Sequence, residues 1–216
     1  EFRRVLFRSI AAMIAGSAYG ERGGEICEKL GICTAKEYKL LSIMAEKKVN
    51  AVSSTSAGRL FDAASAVLGI RRSSTFEGEA SMALQFAAEK FSREPFSIYE
   101  PMEKLTAEKE GRIMLCTQAL VKRLCDGVQN GEDKNRLAYE FHSLLADMTV
   151  QACRTISERT GVKVCALSGG VFQNKLLLKM VKCRLEKMGL RVLIHSLVPA
   201  NDGGIALGQA FYLNEE

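Results

Sequence analysis

A chain of 216 residues, 47% of them apolar, can fill one large core or two tightly joined ones, and 30 basic against 25 acidic residues give a net charge of +5. That charge is too mild to argue for a nucleic-acid surface, and no apolar run approaches the roughly 20 residues a membrane-spanning helix needs. No secretory signal is convincing, so a cytoplasmic protein with neither nucleic-acid nor membrane partner is expected. Seven cysteines without a CxxC pair or a His-bearing cluster read as reduced, mostly buried thiols, not as a disulfide frame or a zinc site.

The opening EFRRVLFRS, residues 1–9, looks like translated sequencing adaptor, and without its one Glu and three Arg the net charge is +3. An upstream portion of the natural protein is therefore expected to be missing. Residues 10–47 read as a helical connecting segment and residues 48–216 as a folded lobe. From Ile10 to Gly24 the expectation is a weak helix followed by a loop. Thr34-Ala35-Lys36-Glu37 fits a capping box opening a helix to about Lys47, with Tyr38, Leu41, Met44 and Ala45 inward.

Ser53, Ser54, Thr55 and Ser56 then lead through Gly58 into a helix carrying Leu60, Phe61, Ala64, Val67 and Leu68, closed by Gly69. The hydroxyls read as caps or as contacts to ribose and phosphate, with capping favoured, and periodicity places Asp62 on a solvated face. Phe76-Glu77-Gly78-Glu79 opens a helix through Phe91 with Ala80, Leu84, Ala87, Ala88 and Phe91 inward. Between Pro95 and Pro101 the run FSIYE reads as a strand or edge. Helices are expected from about Gly111 to Val128 and from Asp133 to Thr160, the second carrying His142 as a core or interfacial residue with one hydrogen bond.

Val164 to Gly208 holds two copies of one plan: strand, small-residue turn, helix. The first is Val164–Leu167, Ser168-Gly169-Gly170, and a helix with Leu177, Val181, Leu185 and Met188 inward, ended by Gly189. The second is Val192–Ile194, Pro199 to Gly204, and a helix from Ile205 to Tyr212. Parallel strands joined by a right-handed crossover place both turns on one rim, where helix N-termini offer unpaired N–H groups to phosphate oxygens. One Gly-Gly turn reads as loop shaping with Asp202 as an N-cap; two in succession point to a nucleotide site, with Asp202 offering an oxygen to a phosphate-bound cation. His195 has no partner at metal-ligand spacing, and Ser168, outside any GxSxG elbow, reads as turn chemistry. Walker A and GxGxxG patterns are absent, and no catalytic thiol is indicated.

Five blocks in order, SSTSAGRLFDAASAVLGI, FEGEASMAL, AYEFHSLLA, LSGGVFQNKLLL and PANDGGIALGQA, resemble the C-terminal part of the carbamoyltransferase of nickel–iron hydrogenase maturation, the HypF family. The resemblance runs from about Lys47 to the C-terminus. It implies an α/β fold, one lobe of an actin/Hsp70/sugar-kinase-like architecture with additional helices, truncated at its N-terminal side and related to the enzyme that makes threonylcarbamoyladenosine on tRNA. It further implies transfer of a carbamoyl group, from carbamoyl adenylate made with ATP, to the C-terminal cysteine of a partner protein, during synthesis of the hydrogenase's cyanide ligand.

By the matching motifs, Gly169, Gly170 and Asn174 approach the nucleotide, Gly58 and Asp62 line its adenosine side, Ser56 and Gly203 join these nucleotide-binding residues, and Asp202 is a metal ligand. The catalytic residue stays unassigned. Family members also carry upstream acylphosphatase-like, zinc-finger and adenylating domains and a His-rich metal motif, which this sequence lacks. The chain alone is therefore expected not to complete the transfer, and its upstream docking surface favours a homodimer. Rival readings are the tRNA-modifying relative, a small-molecule kinase, and a noncatalytic nucleotide-binding module. Arg59 separates the first: GRLFD stands where the tRNA enzymes tend to carry Glu in a GEAYD-like motif.

Overall fold

A computed structural model describes residues 12, 16–50, 54–91 and 106–213. The segment FSIYE and Ser53 lie outside them. Eight helices are described: α1 Gly23–Lys29, α2 Ala35–Glu46, α3 Ala57–Val67, α4 Glu79–Phe91, α5 Thr117–Gln129, α6 Lys134–Thr160, α7 Lys175–Lys187 and α8 Ile205–Leu213. Four strands complete the set: β1 Thr106–Lys109, β2 Arg112–Leu115, β3 Val164–Leu167 and β4 Arg191–Ile194.

The core is built around α6, a helix of 27 residues packed by α4 on one side and α7 on another, with α3 and α5 closing the remainder. Between Leu137 and Ala146 every residue is buried, polar ones included, because neighbours surround this half of the helix. Asp133 caps it by accepting from the N–H of Arg136 at 2.8 Å, and Gly161 ends it at φ 75°. Arg123 on α5 forks between Glu132 and Glu140 at 2.8 to 3.0 Å, tying α5 to the start of α6.

The capping box at Thr34 is present: its hydroxyl accepts from the N–H of Glu37 at 3.2 Å and the Glu37 carboxylate accepts from the N–H of Thr34 at 2.8 Å. Tyr38, Leu41, Met44 and Ala45 form the inner face of α2, half-buried and not sealed. Upstream, the expected loop at Gly23 and Gly24 is the first turn of α1, both glycines being buried. Their small size admits the Tyr38 ring, whose hydroxyl lies 2.5 Å from where a Gly23 Cβ would stand.

A second correction concerns residues 111–116. The helix expected from Gly111 starts at Thr117, and Arg112–Leu115 instead pairs antiparallel with Thr106–Lys109 across Glu110-Gly111. Both turn residues have positive φ, 53° and 74°, the mirror-image geometry that matches strand twist in a two-residue hairpin. Arg159 at the end of α6 holds the hairpin through a two-pronged contact with Glu108 at 2.9 and 2.6 Å.

β3 and β4 are parallel, in register Leu167 with Ile194, and α7 is their crossover. Leu177, Val181 and Leu185 are buried as expected, but Met188 is the exposed C-cap. Leu176, Met180 and Arg184 complete the buried stripe. The second copy of the plan also holds, with its helix running to Leu213.

Candidate functional site

Both small-residue turns leave the C-terminal ends of the parallel pair, and they touch. Gly169, at φ 100° and ψ 157°, occupies a region closed to residues with a Cβ, and its N–H donates to the carbonyl of Ala200 at 2.9 Å. Gly170 faces the second turn as well: a Cβ there would meet only the Cβ of Asn201, at 3.9 Å. Asn201 accepts from the N–H of Gly203 at 3.1 Å, shaping the turn Asp202–Gly204. A Cβ on Gly204 would lie 2.8 Å from the Pro199 carbonyl, so this position excludes any side chain.

A 3₁₀ turn, Gly170–Gln173, separates the first glycines from α7, and Asn174 caps that helix by accepting from the N–H of Leu177 at 2.9 Å. The amide nitrogen of Asn174 donates to Nε2 of His142 at 2.9 Å, while Nδ1 of His142 donates to the carbonyl of Ala138 at 2.7 Å. A carbonyl only accepts, so the proton sits on Nδ1 and Nε2 is the acceptor. Burial keeps this imidazole neutral, its pKa pushed down from 6.5 to about 4. His142 therefore makes two hydrogen bonds, not the one expected, and fixes both the position and the flip of the Asn174 amide.

The residues expected on the adenosine side, Ser56, Gly58 and Asp62, sit at the start of α3, which packs against the Gly170–Gln173 turn. Ser56 is the N-cap residue, yet its hydroxyl makes no capping bond, and a Cβ added at Gly58 would meet only that hydroxyl, at 3.6 Å. Asp62 departs from the solvated face expected of it: it is 8% exposed, and burial raises its carboxyl against the opposing pull of Arg59, whose Nη1 is 3.4 Å away. A native carboxyl above its ordinary value binds protons more tightly than the unfolded chain does. Stability is therefore lost as pH rises through that window, and the penalty is complete at neutral pH. Asp62→Asn is accordingly expected to raise the melting temperature at pH 7 while weakening nucleotide binding; a variant that only destabilises would make Asp62 a structural residue.

Gly169, Gly170, Asp202 and Gly203 are thus brought onto one rim, with Asn174 following at the start of α7 and the first turns of α3, Ser56 to Asp62, packed against the Gly170–Gln173 turn. Asp202 is exposed, and among the described residues no group of three or more His, Cys, Asp or Glu side chains surrounds it or any other point. One carboxylate leaves most of a cation's oxygen shell to other donors, so these residues do not by themselves constitute a metal site. A shallow hollow lined by Arg154, Ser157, Glu158, Lys163, Met188 and Leu190 lies at the opposite, N-terminal strand ends, away from the rim.

One pairing of side chains was missed by sequence reasoning. Ser168 follows Leu167 and His195 follows Ile194, so the parallel register sets them side by side, with Oγ and Nε2 2.9 Å apart. The signal was their equal offset from two strand ends, legible only once the register is known.

Residues 3–209 match the family model described as carbamoyltransferase, Kae1-like domain, second subdomain, a span that begins well upstream of Lys47. The probable carbamoyltransferase HypF of Methanocaldococcus jannaschii is 32% identical over 192 residues, 89% of this chain and 24% of that protein. A more distant relative, the tRNA N6-adenosine threonylcarbamoyltransferase of Francisella philomiragia, is 26% identical over 72% of this chain and 45% of its own length. The crystal structure of full-length HypF in the phosphate- and nucleotide-bound form superposes with a TM-score of 0.80 at 28% identity, covering 99% of this chain and 26% of that one. The chain spans about a quarter of each HypF protein named here. The expected α/β lobe of actin-like type is the fold adopted, and the chain belongs to the HypF carbamoyltransferase family, matching the second subdomain of its Kae1-like domain.

Proposed function

We propose that this chain forms the nucleotide-facing lobe of a carbamoyltransferase that passes the carbamoyl group of carbamoyl adenylate to the C-terminal cysteine of a hydrogenase-maturation partner. The hydrogen bond from Gly169 to Ala200 carries the reading, because it joins the two glycine turns on one rim at the C-terminal ends of the parallel strands, where phosphate-binding turns of such sheets lie. A phosphate- and nucleotide-bound HypF of the same fold supports it. Transfer needs an acyl carbonyl held by fixed N–H donors and a nucleophile in line; with the N–H groups of Gly169 and Gly203 spent on Ala200 and Asn201, the donor role falls to the N-terminal end of the Gly170–Gln173 turn, and the partner brings the thiol. The residues present do not complete a metal site, so no step here depends on one. Arg59, standing beside Asp62, favours the hydrogenase enzyme over the tRNA-modifying one.

Calorimetric titration of the chain with ATP tests the rim. The parent is expected to bind, and Gly170→Val, which puts a branched side chain into the open approach, is expected to lose about tenfold or more in affinity. Binding undiminished in Gly170→Val, or absent in the parent, would contradict the assignment. Affinity without transfer by the full-length protein would instead select a noncatalytic nucleotide-binding module.

The remaining partners follow from exposure. The outer side of the parallel pair shows Val164 and Leu193, and beyond it α8 shows Ile205, Leu207, Phe211 and Tyr212. Parallel sheets are ordinarily covered on both faces, so this surface suits upstream domains of the same enzyme, or a second copy in their absence.

A further inference from the structure

We propose that Ser168 and His195 form a proton relay for the transfer, an inference that rests on the carbamoyltransferase reading of the same rim. The backbone makes the two residues neighbours. Each residue follows directly on a strand, the two strands are in parallel register, and the next N–H along, that of Gly169, is bonded to Ala200. Ser168 is thereby pinned between the first strand end and the second turn, with its hydroxyl 2.9 Å from Nε2 of His195. Both residues are exposed on the rim, where a substrate thiol can reach the hydroxyl.

The chemistry calls for such a pair. A thiolate is the competent nucleophile, and a cysteine thiol of ordinary pKa, about 8.5, is only a few per cent ionised at pH 7. In the relay the thiol proton passes to Oγ of Ser168 as the hydroxyl proton passes to Nε2 of His195. The sulfur forms its bond to the carbamoyl carbon, the bond from that carbon to the adenylate phosphate oxygen breaks, and AMP leaves with the electron pair. The imidazolium then returns its proton to water. Ser168 is the group that touches the nucleophile; His195 acts through it.

The test is single-turnover transfer to the partner's cysteine by the full-length protein, with folding of each variant checked by circular dichroism. His195→Ala is expected to lower the rate at saturating donor and partner by about 10²–10⁴, the usual scale for general base catalysis, with KM little changed. Added imidazole should restore part of that rate. Ser168→Ala should show a comparable loss that imidazole does not repair, and Ser168→Thr should retain activity. Parental rates in His195→Ala, or a loss that imidazole leaves untouched, would overturn the relay while leaving the carbamoyltransferase reading intact. A full-length protein that binds ATP yet transfers nothing would overturn that reading and the relay with it.

Discussion

Replacing Arg184 with alanine is expected to cost about 3–5 kcal/mol of folding stability, the scale seen when one partner of a buried ion pair is removed. Arg184 lies on α7 with 7% of its surface exposed, and its guanidinium reaches across to α6. Nη1 donates to the Ser143 carbonyl at 2.6 Å and meets Oδ1 of Asp147 at 2.9 Å, while Nη2 donates to the Ser143 hydroxyl at 2.7 Å. Truncation leaves a carbonyl, a hydroxyl and a carboxylate without this partner in the seam between the two helices. Burial already raises the Asp147 carboxyl and only Arg184 opposes it, so the carboxylate is the costlier orphan. For a chain of this size the loss corresponds to roughly 6–20 °C in melting temperature. The double variant Arg184→Met with Asp147→Leu should recover most of it, because the desolvation cost disappears with the pair. A single variant that melts within about a degree of the parent would show that the seam is held by its apolar contacts alone.

Acidification from pH 6.5 to about pH 4 is expected to remove about 3 kcal/mol of stability through His142. Its folded-state pKa lies below the unfolded value. The unfolded chain therefore takes up a proton on this residue first, and the contribution, complete above pH 6.5, is lost as pH falls toward 4. Protonation would also put a hydrogen on Nε2 facing the donor nitrogen of Asn174, so nucleotide affinity should decline over the same interval. Denaturant melts of the parent and His142→Gln across that range isolate the residue, since the difference between them excludes carboxylates common to both. Those carboxylates include Asp62 and Asp147, whose raised values give the opposite slope. Equal slopes in parent and variant would mean that His142 charges freely and does not hold the amide.

What could be read from the sequence was whatever is encoded within one turn or one helical period. The Thr34 capping box, the C-terminal glycines Gly69 and Gly189, and the strand, turn and helix repeat at Val164 and Val192 all depend on neighbours a few positions apart, and all are found. The hairpin at Glu110-Gly111 went unread because Arg112–Leu115 carries apolar residues that run smoothly into the periodicity of α5, while Thr106–Lys109 offers no apolar alternation. Contacts between distant elements left no local trace. His142 and Asn174 are 32 positions apart, and Arg184 and Ser143 are 41 apart. Asp62 was misplaced for a related reason: periodicity assumes one buried face, and α3 is enclosed on several.

Every described side chain from Ile205 to Tyr212 is exposed, and α8 packs on the short turn that precedes it. An isolated nine-residue helix is marginal in water, so α8 opens as its own small unit, at a free-energy cost far below that of unfolding α6. Its amides should exchange with deuterated water orders of magnitude faster than those between Leu137 and Ala146. Because α8 begins directly after the turn bearing Asp202, a ligand that orders the rim would slow exchange there first. The last described helix thereby becomes a built-in reporter of what binds at the other end of its own turn.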